Sequence, residues 1–186
     1  MSSTTVYLLP EGSSVEPKAY GARVKAALLK MGVIGKERYD DEPNWYVAGP
    51  NSNAPFKEVD PHDIGFEYCI VMASPNVAVV PQDPAVEPRC PHCGADVSAL
   101  YNDLVNDIET AYTGRKKSQK YLEARLACPR CDRASALPEL RDEIGIFLSG
   151  TWVNFEETQS ELRDEWLATF NDQTGWRHRA LTYGYT

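Results

Sequence analysis

Along most of this chain apolar residues come in short alternating or continuous runs, separated by polar breaks rich in proline and glycine. In three longer stretches they return every three or four positions. The run TVYLLP (5–10), β-branched and stopped by Pro10 and Gly12, predicts a strand. From Pro17 to Met31 the apolar positions Tyr20, Val24, Leu28 and Met31 keep helical spacing. Ser14 lies upstream, Pro17 falls in the first turn and Gly32 is the stop, so an amphipathic helix is predicted. NWYVAG (44–49) predicts a second strand, and GFEYCIVMASPNVAVVP (65–81) predicts a hairpin turning at Ser74, Pro75 and Asn76. Near the C-terminal end, EIGIFLSGTWVNF (143–155) reads as strand. Thr158 and Glu161 then read as a capping box opening a helix whose stripe is Leu162, Trp166, Leu167 and Phe170. Gly175 closes that helix, and WRHRALTYGY (176–185) predicts a last strand.

The middle of the chain is built differently. PQDPAVEP (81–88) places three prolines in eight residues, which forbids a helix and stiffens the connection. SALYNDLVNDIETAY (98–112) sets Leu100, Leu104 and Ile108 four apart with Tyr101, Val105 and Tyr112 alongside, so a helix is expected, with Ser98 as its cap. GRKKSQK (114–120) reads as a basic turn and KYLEARLAC (120–128) as a strand.

Composition narrows the class. With 186 residues, 42% hydrophobic and 25% charged, the chain is long enough to bury a core and too apolar for wholesale disorder. The longest apolar stretch, Tyr68 to Val80, is interrupted by Ser74, Pro75 and Asn76 and is too short to span a bilayer. The opening MSSTTVYLLPEGSS lacks the basic and apolar regions of a secretory leader, so a cytoplasmic location and no membrane association are expected. The net charge of −8 disfavours nonspecific attraction to nucleic acid over the whole surface. Only residues 90–133 escape, with 7 Lys and Arg against 6 Asp and Glu.

The candidate chemistry lies in that middle. CPHCG (90–94) and CPRC (128–131) hold four of the five cysteines. A CxxC turn sets two thiolates on one edge of a tetrahedron, so Cys90, Cys93, Cys128 and Cys131 form a candidate zinc shell. Reduced buried thiols and a thioredoxin-like redox couple are the alternatives, but neither pair sits between a strand and a helix as the redox motif requires. Four cysteines close the shell, so the expected metal is one structural zinc. These motifs resemble the four-cysteine zinc-ribbon or zinc-knuckle module over Cys90 to Cys131. The resemblance implies a structural module and no particular activity. The 34 residues between Cys93 and Cys128 exceed the compact spacing, so further structure is expected between the knuckles. The expected fold is α+β: a small mixed or antiparallel sheet with two main helices, in a body formed by residues 1–85 plus 138–186. A zinc-binding insertion over 86–137 interrupts it.

The remaining candidates have bland counterparts. His92 lies inside the first knuckle and reads as a solvent-facing spacer rather than a ligand. Cys69 in FEYCIVM reads as a core thiol, and His62 and His178 lack placed partners. YDDEPNW (39–45) sets three carboxylates beside aromatics, either a cation-binding loop or a solvated acidic one. There is no GxGxxG, P-loop, HExxH or GxSxG signature, so a catalytic role is not the expectation. The expected function is a non-catalytic, acidic protein-binding module that neutralises or adapts a basic partner, in the manner of an immunity protein or adaptor subunit. The alternative is a zinc-ribbon factor meeting nucleic acid through 114–120, with Tyr112 and Tyr121 stacking on bases despite nearby Asp103, Asp107 and Glu109.

Overall fold

The computed structural model describes residues 3–11, 15–60, 62–80, 87–140, 147–158 and 160–185. Its architecture is α+β, with four helices, a six-stranded antiparallel sheet and a two-stranded one among the described residues. The chain divides into two compact units: unit 1 is Met1–Ser74 with Thr151–Thr186, and unit 2 is Pro75–Gly150. No helix among the described residues is long and apolar enough to cross a membrane.

Unit 1 begins with β1 (Ser3–Pro10) and α1 (Pro17–Lys30), followed by β2 (Ile34–Arg38), β3 (Trp45–Ala48) and the long β4 (Tyr68–Val80), which carries the chain out of it. The predicted upstream signal Ser14 lies outside the described residues. The helix is capped by Glu16, whose carboxylate accepts from the Lys18 and Ala19 N–H groups at 3.1 and 2.6 Å, satisfying donors that have no intrahelical partner. The chain returns along β7 (Phe147–Thr158), then α4 (Asp164–Thr174) and β8 (His178–Tyr185). The strand order is β2-β3-β4-β7-β1-β8.

Alternation along the strands decides which face is covered. Val6 and Leu8 of β1 oppose Phe155 and Val153 of β7, and all four are fully buried on the face that receives α1 and α4. Tyr20, Val24 and Leu28 of α1 and Trp166 and Phe170 of α4 complete that core. Phe155 is its hub, with the rings of Phe66, Phe56 and Trp166 at 5.0, 5.6 and 6.0 Å. The second face carries Thr5, Tyr7, Trp45 and Tyr68. Gly175 stops α4 in the left-handed region, φ 76°, and its N–H donates to the Asn171 carbonyl at 2.7 Å.

Two expectations for unit 1 are corrected. Residues 68–80 form one strand, not a hairpin. The first residue of β3, Trp45, lies opposite Ile70, so by Pro75 the strand has outrun that neighbour and the missing N–H forfeits no bond on that side. Thr158 does not cap α4 but ends β7, where its hydroxyl donates to the Thr4 carbonyl at 3.0 Å. Glu161 pairs with Lys57 at 2.9 Å instead of capping. The helix starts later, at Asp164, with Asp164 and Glu165 favoring its positive end. The strand over 34–38 had no counterpart in the sequence reading.

Unit 2 contains α2 (Ser98–Ala111), α3 (Gly114–Glu123), the hairpin of β5 (Arg125–Ala127) and β6 (Ala134–Ala136), and a 3₁₀ turn at Leu137–Glu139. Residues 81–86 of the proline-rich linker and 143–146 of the predicted strand lie outside the described residues. The predicted basic turn and the strand after it resolve as α3 followed by the much shorter β5, because Lys, Gln, Leu, Arg and Glu are all good helix formers. Along α2 the buried positions are Tyr101 and Ile108, with Leu104 and Val105 packed beside them, while Leu100 faces outward at 41% exposure. Ser98 does not cap; its own N–H and hydroxyl donate to Asp96 at 2.8 and 2.6 Å.

Candidate metal centre

Each CxxC is the tip of a small hairpin, and the two tips share one hydrogen-bond pattern. Cys90 donates its N–H to the Ala95 carbonyl at 2.8 Å and accepts from the Gly94 N–H at 2.9 Å. Cys128 donates to Arg133 at 2.9 Å and accepts from Asp132 at 2.9 Å. Below the first tip Arg89 pairs with Asp96, and below the second Ala127 pairs with Ala134, at the same offsets from the leading cysteine. The fourth residue after that cysteine turns left-handed in both: Gly94 at φ 69° and Asp132 at φ 59°. A Cβ on Gly94 would meet nothing within 4 Å, so the requirement there is conformational and not steric.

The two tips bring four sulfurs together, all within 4.8 Å of one another. Cys90 Sγ lies 3.8 Å from Cys131 Sγ, and Cys93 Sγ lies 3.6 Å from Cys128 Sγ. A tetrahedral zinc with Zn–S bonds of about 2.3 Å requires sulfur–sulfur edges of about 3.8 Å. A disulfide requires about 2.05 Å. All four are free thiols, so the donor set fits a tetrathiolate metal and not a cross-link. Among the described residues no other group of three or more His, Cys, Asp or Glu side chains converges in this way.

Backbone dipoles support the sulfurs. The Arg130 N–H, and with it that of Cys131, points at Cys128 and draws its thiol down to about 7. At Cys131 the Arg133 N–H acts the same way, but burial and the neighbouring sulfurs outweigh it and carry that thiol up to about 11. Hydrogen bonds among the sulfurs act in opposite directions on the two, lowering the Cys128 thiol and raising that of Cys131. The centre also belongs to a core. Cys90 and Cys128 are 3% and 2% exposed, in a cluster with Val97, Tyr101, Tyr121, Leu126 and Leu137.

The other sequence candidates lie apart from this centre. His92 is exposed and outside the sulfur cluster. Cys69 is fully buried in unit 1, and burial pushes its thiol far up, so it is an inert core group. His62 is exposed. His178 is buried: its Nδ1 donates to Asn171 Oδ1 at 2.8 Å, and its Nε2 accepts from the Tyr20 hydroxyl at 3.3 Å. Burial lowers its pKa to about 4.

In the basic stretch, Lys117 pairs with Glu109 at 2.7 Å, Lys120 stands 3.5 Å from Glu123 and 5.7 Å over the Tyr112 ring, and Tyr121 is fully buried with its hydroxyl bonded to Glu109. Arg115 and Lys116 remain exposed. The acidic loop joins a feature the sequence reading did not assemble, a set of half-buried rings from Tyr39, Trp45 and Tyr68. Tyr68 comes from β4, and only sheet register brings it to the other two. Comparison of the chain with protein-family models, curated proteins and solved structures finds no match.

Proposed function

We propose that this protein is a non-catalytic binding module: unit 2 is held by one structural zinc on Cys90, Cys93, Cys128 and Cys131, and the acidic chain recognises a basic protein partner. The observation that carries the reading is the pair of sulfur separations, 3.6 and 3.8 Å, at the edge length of a tetrathiolate zinc. Four thiolates leave no open coordination position for substrate or water, so the metal shapes the fold and does not perform chemistry. Its neighbours agree with that role, since the sulfurs lie among core side chains.

The partner's charge follows from the net of −8, which speeds encounter with a basic surface and repels phosphate. Three features of α3 count against nucleic acid as the partner. Two of its lysines are already matched with carboxylates, and Tyr121 cannot stack on a base without leaving the core. Two measurements test the reading. Elemental analysis of protein purified without added metal is expected to give about one zinc per chain, with absorption spectroscopy placing sulfur at about 2.3 Å; a folded, metal-free sample rejects the centre. Affinity recovery from the native host is expected to yield a stoichiometric basic protein that survives nuclease treatment. Recovery abolished by nuclease favours the exposed Arg115 and Lys116 as a nucleic-acid contact instead.

A further inference from the structure

The chain covers several of its rings with its own cations. Arg23 lies 5.0 Å over Trp176, Lys25 lies 4.9 Å over Tyr46, and Lys120 lies 5.7 Å over Tyr112. One aromatic surface departs from that habit. Tyr39, Trp45 and Tyr68 meet on the second face of the sheet, at its β2–β3 end. Tyr68 is 4.6 Å from each of the other two, and the Trp45 and Tyr68 planes are 4° from parallel. All three rings are half-buried, and among the described residues no Lys or Arg stands over any of them.

The charged side chains that act on the two tyrosine hydroxyls of this set are carboxylates. The Tyr39 hydroxyl donates to Glu67, and that bond pushes its phenol up to about 12, with Glu67 and Asp40 adding their negative fields. Burial raises Tyr68, and Glu156, Glu67 and Glu157 add to it. Asp40, Asp41 and Glu42, all exposed, form the turn between β2 and β3 beside the rings. The Glu42 N–H donates to the Tyr39 carbonyl at 3.0 Å, with Asp40 and Asp41 at φ 48° and 59°. That is a type I′ turn, in which Asn-Gly and Asp-Gly are favoured pairs, so Asp41 stands where glycine is preferred. The Asp41 carboxylate therefore stands here against the local conformational preference.

We propose that Tyr39, Trp45 and Tyr68, rimmed by Asp40, Asp41, Glu42 and Glu67, dock an arginine side chain of the basic protein partner. This rests on the binding reading above and deepens it by naming the surface and the group it receives. Near-parallel rings extend naturally to a further flat group, and a guanidinium is flat, cationic, weakly hydrated and able to fork onto a carboxylate. Lysine shares only the charge. Citrulline shares the shape without the charge, so the three side chains separate the contributions.

The test titrates the zinc-loaded full chain with the peptides acetyl-Gly-Gly-Xaa-Gly-Gly-amide, where Xaa is arginine, lysine or citrulline, and follows the Trp45 indole N–H by NMR, assigned with Trp45→Phe. The arginine peptide is expected to give a saturable shift, with citrulline weaker by about tenfold or more. A double variant, Asp40→Asn with Asp41→Gly, installs the favoured turn pair. It is expected to melt higher than the wild type while binding the arginine peptide several-fold more weakly, which separates lost recognition from lost folding. No saturable shift at Trp45, or equal shifts with arginine and citrulline, overturns the proposal. A recovered basic partner that binds the double variant as tightly as the wild type also overturns this surface, while leaving the binding reading intact. Arginine-specific shifts at Trp45 with no basic partner recovered uphold the surface and count against that reading.

Discussion

Unit 1 and unit 2 solve the same problem, ordering a chain against its conformational entropy, with different materials. Unit 1 closes one face of a sheet with two helices and fills the space with rings, Phe155 touching Phe56, Phe66 and Trp166. Its buried cysteine, Cys69, is only another small apolar group. Unit 2 has two modest helices and a three-residue hairpin, with few large side chains, and it places Cys90 and Cys128 inside its core where unit 1 places phenylalanine. A small core closes with difficulty on apolar burial alone, and a metal supplies what the missing area does not. One chain thus contains a unit stabilised by transfer of apolar surface and, on the proposed reading, another stabilised by coordination.

The difference can be broken most severely from the metal side. Chelation, or Cys128→Ser, is expected to abolish the order of residues 90–131 outright, because structural zinc contributes on the order of 10 kcal/mol to small domains that depend on it. Hydrogen exchange is the measurement: amides of α2, α3 and the β5–β6 hairpin lose protection while those of β1 and α4 keep it. Simultaneous loss in both units would contradict the separation drawn above. The converse lesion is Phe155→Ala. Opening the ring cluster is expected to remove about 3–5 kcal/mol from unit 1 and leave zinc content unchanged. All four tryptophans belong to unit 1, so their fluorescence follows its melting without interference from unit 2.

Acid sharpens the contrast at smaller magnitude. His178 is held neutral, with its pKa lowered to about 4 by burial, whereas the unfolded chain protonates it near 6.5. Above about pH 6.5 both states are neutral and the group adds no pH dependence. As pH falls from there toward about 4 the unfolded state takes up a proton that the folded state refuses, so unit 1 loses stability, by up to ~3 kcal/mol. Tryptophan-detected melting across this window is expected to slope downward in the wild type and to lose that component in His178→Gln. Smallest is the comparison between the two cysteine tips. Gly94→Ala, at a left-handed position, is expected to cost unit 2 about 1 kcal/mol, and Asp132→Gly at the equivalent position to return a few tenths. Zinc competition with a chromophoric chelator reads both.

The sulfur centre was legible because its signal is local: each CxxC needs only its own turn, and two turns at any workable separation specify four ligands. The helices over 17–30, 98–111 and 164–174 were legible for a related reason, since helical periodicity is repeated within the element itself. One failure was local, since the helix formers of α3 were read as a turn and a strand, but the others fell where a distant neighbour decides. Pro75 marks a turn when only its own segment is considered, yet it is tolerated in β4 because that strand has already outrun β3. Thr158 has the sequence of a helix cap, but pairing with Thr4, on the opposite end of the chain, assigns it to a strand. The Tyr39–Trp45–Tyr68 surface was half visible as acids beside aromatics. Its third ring arrives through β3–β4 register, which one short segment cannot encode.

The chain leaves unit 1 along β4 and comes back along β7, and these two strands are neighbours in the same antiparallel sheet. In topological language unit 2 is one very long hairpin loop, inserted where a turn of two residues would satisfy the fold. Such a loop is tolerated because closure entropy grows only logarithmically, by about 0.6 kcal/mol per doubling of length, and a loop that folds on itself relieves even that. The β4–β7 junction is therefore a splice site. A chain joined across it by a short glycine-containing turn retains every strand neighbour of the unit 1 sheet, and a different self-folding segment placed there inherits the same pair of anchors.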